Sequence, residues 1–214
     1  MINTAGKKSS HCECGSWEKV ERIVDADFRY YYYQCSYCHR VEYPFSEAQK
    51  ILDYSKEHVF FFVSDWILVW LCIGDNAPIY GITRLQKQMF IVYYEFAQNY
   101  GIPTENPGFA GYKYGPYTER IDTALDSLYS LGFISSEGRL NTDKEMFTLT
   151  NAGEEKAKML LEKLTSEQQE KLHELRRELQ QFTRQGITTY IYQKYPDFTK
   201  KSIIYERTLH RKRK

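Results

Sequence analysis

Four of the five cysteines form two close pairs whose spacing could place four thiolates around a metal ion. One residue separates Cys12 from Cys14, two separate Cys35 from Cys38, and twenty residues lie between the pairs. Thiolates are soft ligands that suit zinc, and two tight turns joined by a hairpin form the tetrahedral site of a zinc ribbon. Four protein ligands leave no position for a reactive water, so this spacing predicts a structural zinc ion and not a catalytic one.

Histidines beside both pairs leave the ligand set open. The first pair is Cys-x-Cys, whereas ribbons normally have Cys-x-x-Cys, and His11 stands at that normal spacing from Cys14. His39 directly follows Cys38. We predict four cysteine ligands, and the alternatives are a histidine (His11 or His39) in place of one cysteine, or a cluster without metal. The fifth cysteine, Cys72, lies in an apolar stretch and is predicted to be a small buried side chain.

Two β-prone runs must bring the cysteine pairs together. The runs "WEKVERIV" and "FRYYYYQC" flank "DAD" and predict a β-hairpin. Residues 1–45 are therefore predicted to form the zinc ribbon. Ser46 and Gln49 have the spacing of a capping box, which predicts a linker helix over residues 46–61.

Residues 62–165 have the order of elements of a winged-helix domain. Ser64 is predicted to cap the apolar helix "DWILVWLCI", "DNAPIYG" is predicted to be a turn, and "TRLQKQMFIVYYEFAQNYG" has the spacing of an amphipathic helix. In "YGPYTERIDTALDSLYSLGFI", Pro116 suits the first turn of a third helix. Two short β-like runs then predict a wing, and Thr150 or Asn151 is predicted to cap the helix that follows.

Residues 166–214 are predicted to form a C-terminal helical extension that ends in a basic tail. From Lys194 onward there are eight lysines or arginines against two acidic residues, although the whole chain has a net charge of only +1. The predicted fold class is α+β and mainly α, with a zinc-ribbon hairpin, a winged-helix domain and the helical extension.

The third helix of the predicted winged-helix domain has an acidic face. Such a helix usually lies in the DNA major groove, but here Glu119, Asp122 and Asp126 are predicted to face solvent beside a single Arg120. DNA places one negative charge about every 1.7 Å along its axis, so this face is repelled. Weakly specific nucleic-acid contacts are predicted instead at other basic residues: Arg84, Lys87, Lys200, Lys201, Arg207, Arg211, Lys212, Arg213 and Lys214.

Nothing in the sequence indicates catalysis. The histidines are scattered, and there is no His-Glu-x-x-His, no Gly-x-Ser-x-Gly and no phosphate-binding loop. We therefore predict a non-enzymatic protein without a small-molecule substrate. The most apolar run, residues 59–73, is interrupted by Ser64 and Asp65 and is shorter than the roughly 20 residues of a membrane span. "MINTAGKKSS" has no apolar core of a signal peptide, so we expect a cytoplasmic protein without membrane contact.

Three motifs in the second half resemble a known family. Leu85 and Lys87 match a Leu-x-Lys near the start of a helix, and residues 114–116 match a Tyr-Gly-Pro turn before the next helix. "YIYQKYPDFTKKSII" resembles a helix that ends in Tyr-Pro. Over roughly residues 62–205, these motifs are similar to those of the Panacea (SocA-like antitoxin) domains and the related YwgA-like proteins. The resemblance implies a winged-helix-like fold, and because some members are antitoxins or antitoxin chaperones, it implies a protein partner as much as DNA.

Two functions follow from the sequence. The first, which we prefer at this point, is a zinc-binding regulatory protein that binds nucleic acid, because both predicted architectures are common in nucleic-acid machinery and transcription regulation. The second is an antitoxin-type protein-interaction module that does not bind nucleic acid. The acidic helix and the nineteen tyrosines favour the second function.

Overall fold

The computed structural model of the protein describes residues 12–75, 77–138, 142 and 144–205, which form an α+β structure with small antiparallel sheets. The helices in these ranges are α1 (Phe45–Tyr54), α2 (Val63–Cys72), α3 (Ile82–Ile91), α4 (Glu119–Ser130), α5 (Asn151–Leu161), α6 (Ser166–Gln181) and α7 (Arg184–Lys194). The strands are β1 (Trp17–Ile23), β2 (Arg29–Cys35), β3 (Val41–Glu42), β4 (Ile79–Tyr80), β5 (Ala110–Tyr112), β6 (Gly115–Tyr117), β7 (Ile134–Glu137) and β8 (Met146–Leu149). In this part of the chain no helix has both the length and the apolar character that crossing a membrane requires.

Strands β1 and β2 form the hairpin that the sequence predicts, and β3 adds a third antiparallel strand. The register runs from Trp17 opposite Cys35 to Ile23 opposite Arg29. At the turn, the Asp25 carboxylate accepts two backbone N–H groups at 2.8 Å each. Aspartate favours such turns because its short side chain can satisfy the backbone of the following residues.

The N-terminal sheet shares a core with α1. Tyr30 and Tyr32, on one face of β2, pack with Ile51 of α1 and with Phe60 in a cluster separate from the main core. The helix that was predicted as a linker is therefore packed against the ribbon.

The start of α1 differs from the predicted capping box. Pro44 occupies the N-cap position and no side chain caps the helix, so the predicted pairing of Ser46 with Gln49 is wrong. The buried Glu47 carboxylate instead accepts the backbone N–H of Tyr31 at 3.1 Å. This bond ties α1 to β2, because a buried carboxylate must find a donor.

The main core surrounds α2. Ile67, Val69 and Trp70 are fully buried, so the apolar run is an interior helix, as predicted. The indole N–H of Trp70 donates to Gln88 of α3 at 3.0 Å, and the guanidinium of Arg176 from α6 lies 5.1 Å from its ring. These contacts hold α3 and α6 against α2.

Side-chain caps are confirmed at one predicted helix start and wrong at another. The Thr150 hydroxyl accepts the Gly153 N–H at 3.1 Å at the start of α5, as predicted. At α2 the N-cap position is Phe62 and not Ser64, and the carboxylate of Asp65, three residues further on, accepts the Phe62 N–H at 2.9 Å.

The second sheet contains β4, β8 and β7 in that order. Strands β7 and β8 form the predicted hairpin. Strand β4 lies where the sequence predicts only a turn, and Ile79 pairs there with Phe147 of β8. A strand of two residues has no alternation of its own, so sequence periodicity does not indicate it.

A short hairpin, β5–β6, precedes α4. Pro116 lies in β6 opposite Gly111, and its predicted place in the first turn of the helix is wrong. The helix begins at Glu119, and the Thr118 hydroxyl caps it by accepting the Arg120 N–H at 3.3 Å. Gly115 and Pro116 of the Tyr-Gly-Pro motif thus lie in the strand that precedes α4, and Tyr114 lies in the turn before that strand.

The predicted second helix changes its hydrogen-bonding pattern after α3, where Val92–Ala97 form a π-helical segment. Glu95 in this segment accepts hydrogen bonds from Tyr190 at 2.8 Å, from Lys194 at 2.7 Å and from Tyr195 at 3.1 Å. One carboxylate therefore fastens the segment to α7 and to the residue that follows it.

Candidate metal centre and the surfaces around it

The four cysteine thiols converge at the end of the β1–β2 hairpin. Cys12 Sγ lies 3.3 Å from the sulfurs of Cys14 and Cys38, and Cys14 Sγ lies 3.8 Å from that of Cys35. All four sulfurs lie within 4.8 Å of one another. Zinc–thiolate bonds of about 2.3 Å separate the sulfurs of a tetrahedral site by roughly 3.8 Å. The predicted convergence is confirmed, and the cluster could hold a four-coordinate metal ion.

Backbone geometry shapes the turns that carry the cysteines. The Cys35 N–H donates to the carbonyl of Arg40 at 2.9 Å, and the His39 N–H donates to the carbonyl of Cys35 at 3.0 Å. Between the turns, a Cβ on Gly15 would lie 2.8 Å from the Cβ of Tyr37. Glycine is therefore required for the two turns to approach each other.

His39 is not part of the sulfur cluster. Its φ of 63° places it in the left-handed region, and its ring lies 4.8 Å from that of Phe198. Burial lowers the pKa of its imidazole, and its Nε2 has no hydrogen-bond partner among the described residues. The predicted alternative in which His39 replaces a cysteine is wrong, whereas the corresponding alternative for His11 lies outside the described residues.

The thiols differ in acidity. Burial raises the pKa of Cys12 and of Cys38. Burial also acts to raise the pKa of Cys14, but hydrogen bonds from Lys201 and the neighbouring thiols lower it to about 6. Lys201 Nζ lies 3.1 Å from Cys14 Sγ. Of these three thiols, Cys14 ionises most readily at neutral pH.

Lys87, a predicted nucleic-acid contact, is buried. Its side chain is 2% exposed, and its Nζ donates to the carbonyl of Pro116 at 2.6 Å. Burial lowers its pKa to about 7. The prediction that Lys87 touches phosphate is wrong, because the ammonium group points into the protein between α3 and β6.

Arg84 has a structural partner. Its guanidinium donates to the carbonyls of Leu179 and Gln180 at 3.4 and 3.1 Å, at the end of α6. A cation at a helix C-terminus stabilises the exposed carbonyl groups. Arg84 is partly exposed, and its predicted contact with nucleic acid stays a prediction.

The two described lysines of the basic segment lie beside the ribbon. Lys200 forms an ion pair with Asp197 at 3.0 Å, and Lys201 contacts Cys14. Both ammonium groups lie near the Tyr37 ring, at 5.6 and 5.8 Å from its centroid. The other predicted contacts of this segment lie outside the described residues: Arg207, Arg211, Lys212, Arg213 and Lys214.

The predicted acidic face of α4 is only partly exposed. Asp122 is half-buried and accepts hydrogen bonds from Gln86 at 3.0 Å and from the hydroxyl of Tyr117. Burial raises the pKa of its carboxyl. The prediction that Asp122 faces solvent is therefore wrong, whereas Glu119 and Asp126 are exposed, as predicted.

Arg120, the single cation predicted on this face, is held by the protein. Its guanidinium lies 4.8 Å from the centre of the Tyr43 ring and 3.5 Å from the Glu105 carboxylate. Tyr43 belongs to the segment after β3, so Arg120 connects α4 with the N-terminal sheet.

A cleft of about 500 Å³ runs between α1, α2 and α4, and we call it the α4 cleft. Its apolar walls are formed by Leu52, Phe62, Leu68, Ala124, Leu128 and Leu131. Asp65, Glu105, Glu119, Arg120 and Lys156 provide its charged groups. The sequence does not predict this cleft, because the gap between α1 and α4 depends on tertiary packing.

A second surface combines tyrosines with lysines at the ribbon. Tyr37, Tyr112 and Tyr114 are 41%, 47% and 50% exposed. Lys113 lies between the last two, and Lys201 lies above Tyr37. We call these residues, together with Lys200, the tyrosine–lysine surface.

Comparison of the chain with family models, with curated proteins and with solved structures finds no match.

Proposed function

We propose that residues 62–165 form a winged-helix domain joined to a ribbon with a structural zinc ion. In support, α2, β4, α3, α4 and the β7–β8 hairpin follow the winged-helix order, and β4 pairs with β8 to complete a three-stranded sheet. The zinc assignment rests on four cysteine sulfurs within 4.8 Å of one another, which as thiolates would favour a soft ion and leave no open coordination position.

The function that we propose is non-enzymatic binding of a protein partner at the α4 cleft, as in an antitoxin-type interaction module. The observation that carries this proposal is the cleft itself, an apolar groove along the helix that would otherwise read DNA. Leu131, which lines the cleft at the end of α4, is 57% exposed and leaves apolar surface open to solvent there. Exposed apolar surface beside a groove is typical of interaction sites.

The charges around the cleft define the partner that fits. Glu119 is exposed on α4, Arg120 is already paired with Glu105, and the other charged residues of the lining are Asp65 and Lys156. Three carboxylates against two cations give the lining a formal charge of −1, which repels phosphate groups and attracts Lys or Arg. We therefore propose that the occupant is a protein segment with apolar side chains for the groove and basic residues for its carboxylates.

The intramolecular contacts of the predicted nucleic-acid residues also favour a protein partner. Lys87 is buried, Arg84 binds the end of α6, Lys200 pairs with Asp197, and Lys201 contacts Cys14. A phosphate would have to compete with each of these contacts.

Leu131→Lys tests the proposal. Leu131 lies at the exposed edge of the cleft, so a charge there should abolish partner binding and leave the thermal stability nearly unchanged. Met159→Lys is the matched control, because Met159 is 60% exposed on α5 and is not among the residues that line the cleft. Both variants would be compared by affinity purification with cross-linking and mass spectrometry.

Two results would support the proposal together: cross-links from the partner to α1, α2 or α4, and loss of that partner only in Leu131→Lys. A partner that binds both variants equally, or cross-links that map only to the ribbon, would overturn it.

Nucleic-acid binding is the second candidate, and the tyrosine–lysine surface is the observation that favours it. Exposed tyrosines can stack on unpaired bases while lysines contact phosphates. The described chain ends at Tyr205, whose ring lies 5.8 Å from that of Tyr192, and the basic residues from Arg207 onward follow it.

Fluorescence anisotropy with single-stranded and duplex DNA and RNA tests this second candidate. Replacing Tyr112 and Tyr114 by Ala should weaken single-strand binding, whereas Tyr80→Ala, at 54% exposure in β4, should not. Deleting residues 211–214 should weaken binding to all sequences alike and lower the salt slope by roughly one unit per lost phosphate contact. Unchanged affinity and salt slope in both variants would exclude this role.

A further inference from the structure

The Cys14–Lys201 contact joins the two ends of the described chain. The Nζ–Sγ distance is 3.1 Å across a sequence separation of 187 residues. Lys201 also lines, with Cys12 and Cys38, a cavity of about 610 Å³ between the ribbon and the β5–β6 hairpin. Lys201 therefore contacts the sulfur cluster and lines the same cavity as two of its cysteines.

The charge of a metal-loaded cluster explains why a cation lies there. Four thiolates and a divalent ion have a net charge of about −2, which needs hydrogen-bond donors or cations nearby. Arg40 is the arginine closest in sequence to Cys38, but its guanidinium lies 3.9 Å from the Glu119 carboxylate. Lys200 is paired with Asp197. Lys201 forms no ion pair with a carboxylate within the part of the chain that the structure describes, so its charge is available to the sulfurs.

The segment that carries Lys201 makes several short polar contacts with the rest of the protein. The Ile203 N–H donates to the carbonyl of Lys113 at 3.0 Å, and the hydroxyls of Ser202 and Tyr192 lie 2.5 Å apart. Ile203 itself is 64% exposed. Phe198 is buried before this segment, and Ile204 and Tyr205 at its end are partly buried against the main core. The charge-assisted bond from Lys201 to a thiolate adds a contact between these two attachment points.

We infer that Lys201 is the outer cation of the metal centre and that metal binding fastens the C-terminal segment, residues 199–205, to the ribbon. This inference rests on the proposed metal site but on neither candidate function. The coupling is reciprocal, because a contact that strengthens metal binding by some factor is strengthened by metal by the same factor. Metal loading then fixes the position of residues 199–205, which directly precede the basic residues from Arg207 onward in the sequence.

Three variants test the inference with the full-length chain. Lys201→Met removes the cation, Lys201→Arg keeps it, and Lys200→Met removes a neighbouring charge that is paired with Asp197. Zinc affinity would be measured by competition with a chromophoric chelator at fixed pH. Residues around a metal site typically change its affinity by about 10–100-fold, so we expect a loss of that size in Lys201→Met, recovery in Lys201→Arg and less than about a twofold change in Lys200→Met.

Hydrogen exchange provides a readout that metal affinity alone does not. Amides of residues 199–205 should exchange faster after zinc removal from the wild type, and equally fast in zinc-loaded Lys201→Met. Exchange in α2 serves as the folding control, because its core residues are fully buried. Equal zinc affinity of Lys201→Met and Lys200→Met, or exchange at 199–205 that ignores zinc, would overturn the inference. A wild-type chain that binds no zinc would overturn the metal site with it.

Discussion

The ribbon and the α4 region both bring several polar side chains together, but by different means. In the ribbon, each cysteine pair lies in a tight turn. The antiparallel pairing of β1 with β2, which places Trp17 opposite Cys35, brings the two turns together. In the α4 region, Asp122 meets Gln86 of α3 and Tyr117 of β6 only because three elements pack around one core. The first arrangement is local to a hairpin, and the second is tertiary.

This difference decides which residue roles can be inferred from sequence. Two cysteines one or two residues apart share one turn whatever surrounds that turn, so the sulfur cluster forms as predicted. The role of a lysine or aspartate on a helix depends on what covers that helix. Lys87 and Asp122 were assigned to solvent by their types, and β6 covers both.

Removing one thiolate should produce the largest effect at the ribbon. Cys35→Ser replaces a buried ligand, so we expect loss of the single zinc ion and of several kcal/mol of local stability, as is usual for structural metals. Because the ribbon core includes Ile51 and Phe60, α1 should lose protection together with β1–β3. Elemental analysis and hydrogen exchange would measure both.

Cys72→Ser is the matched control for this change. Cys72 is partly buried in α2 and lies outside the sulfur cluster, so this variant should keep its zinc. Protein purified under reducing conditions with no zinc, or with Cys35→Ser still loaded, would remove the metal centre from the structure that we propose.

Lys87→Met should produce the next largest effect, in the opposite direction. Burial lowers the pKa of Lys87 from 10.5 for a free side chain to about 7 in the folded protein. At a pH between these two values, Lys87 is protonated in the unfolded chain and neutral in the folded one. Unfolding free energy therefore rises with pH in this window, by up to about 1.4 kcal/mol per pH unit, and is lowest below pH 7. Methionine should remove that slope and stabilise the protein most at pH 6, despite losing the bond to Pro116.

Denaturant unfolding at pH 6 to 10 would measure the difference in unfolding free energy between Lys87→Met and the wild type. Taking this difference cancels the titration of the other groups. Lys158→Met is the control, because Lys158 is exposed on α5 and pairs with Glu154 at the surface. If the difference in unfolding free energy between Lys87→Met and the wild type does not decrease as the pH rises, Lys87 is solvated.

Local signals predicted a large part of the fold. The β1–β2 hairpin, the apolar helix α2, the β7–β8 hairpin and the Thr150 cap follow from alternation, apolar runs and turn chemistry. The predicted caps at Ser46 and Ser64 and the predicted place of Pro116 are wrong. No side chain caps α1, the Asp65 carboxylate binds the Phe62 N–H at the start of α2, and Pro116 pairs in a strand.

The α4 cleft and the Cys14–Lys201 contact could not be predicted, since each depends on which elements meet. The apolar stripe of α4 is the same whether its flank is covered by α1 or open to a partner. A lysine near the C-terminus likewise contains no information about a sulfur far away in sequence, so only the folded chain reveals the pairing.

The smallest expected effect is a difference in stability between Ala variants of Asp122 and Asp126, which lie one helical turn apart on α4. Asp122→Ala removes the acceptor for the Tyr117 hydroxyl and for one of the two bonds of the Gln86 amide, which keeps its bond to the Thr118 carbonyl at 2.9 Å. Such a loss costs about 1–3 kcal/mol, and relief of the partly buried charge offsets some of it, so we expect about 1 kcal/mol. Asp126→Ala changes an exposed side chain and should stay within about 0.5 kcal/mol of the wild type. Chemical denaturation of both variants at pH 7 would measure the difference. Equal stabilities would mean that Asp122 lies in solvent, and the acidic face of α4 would then be as broad as its sequence predicts.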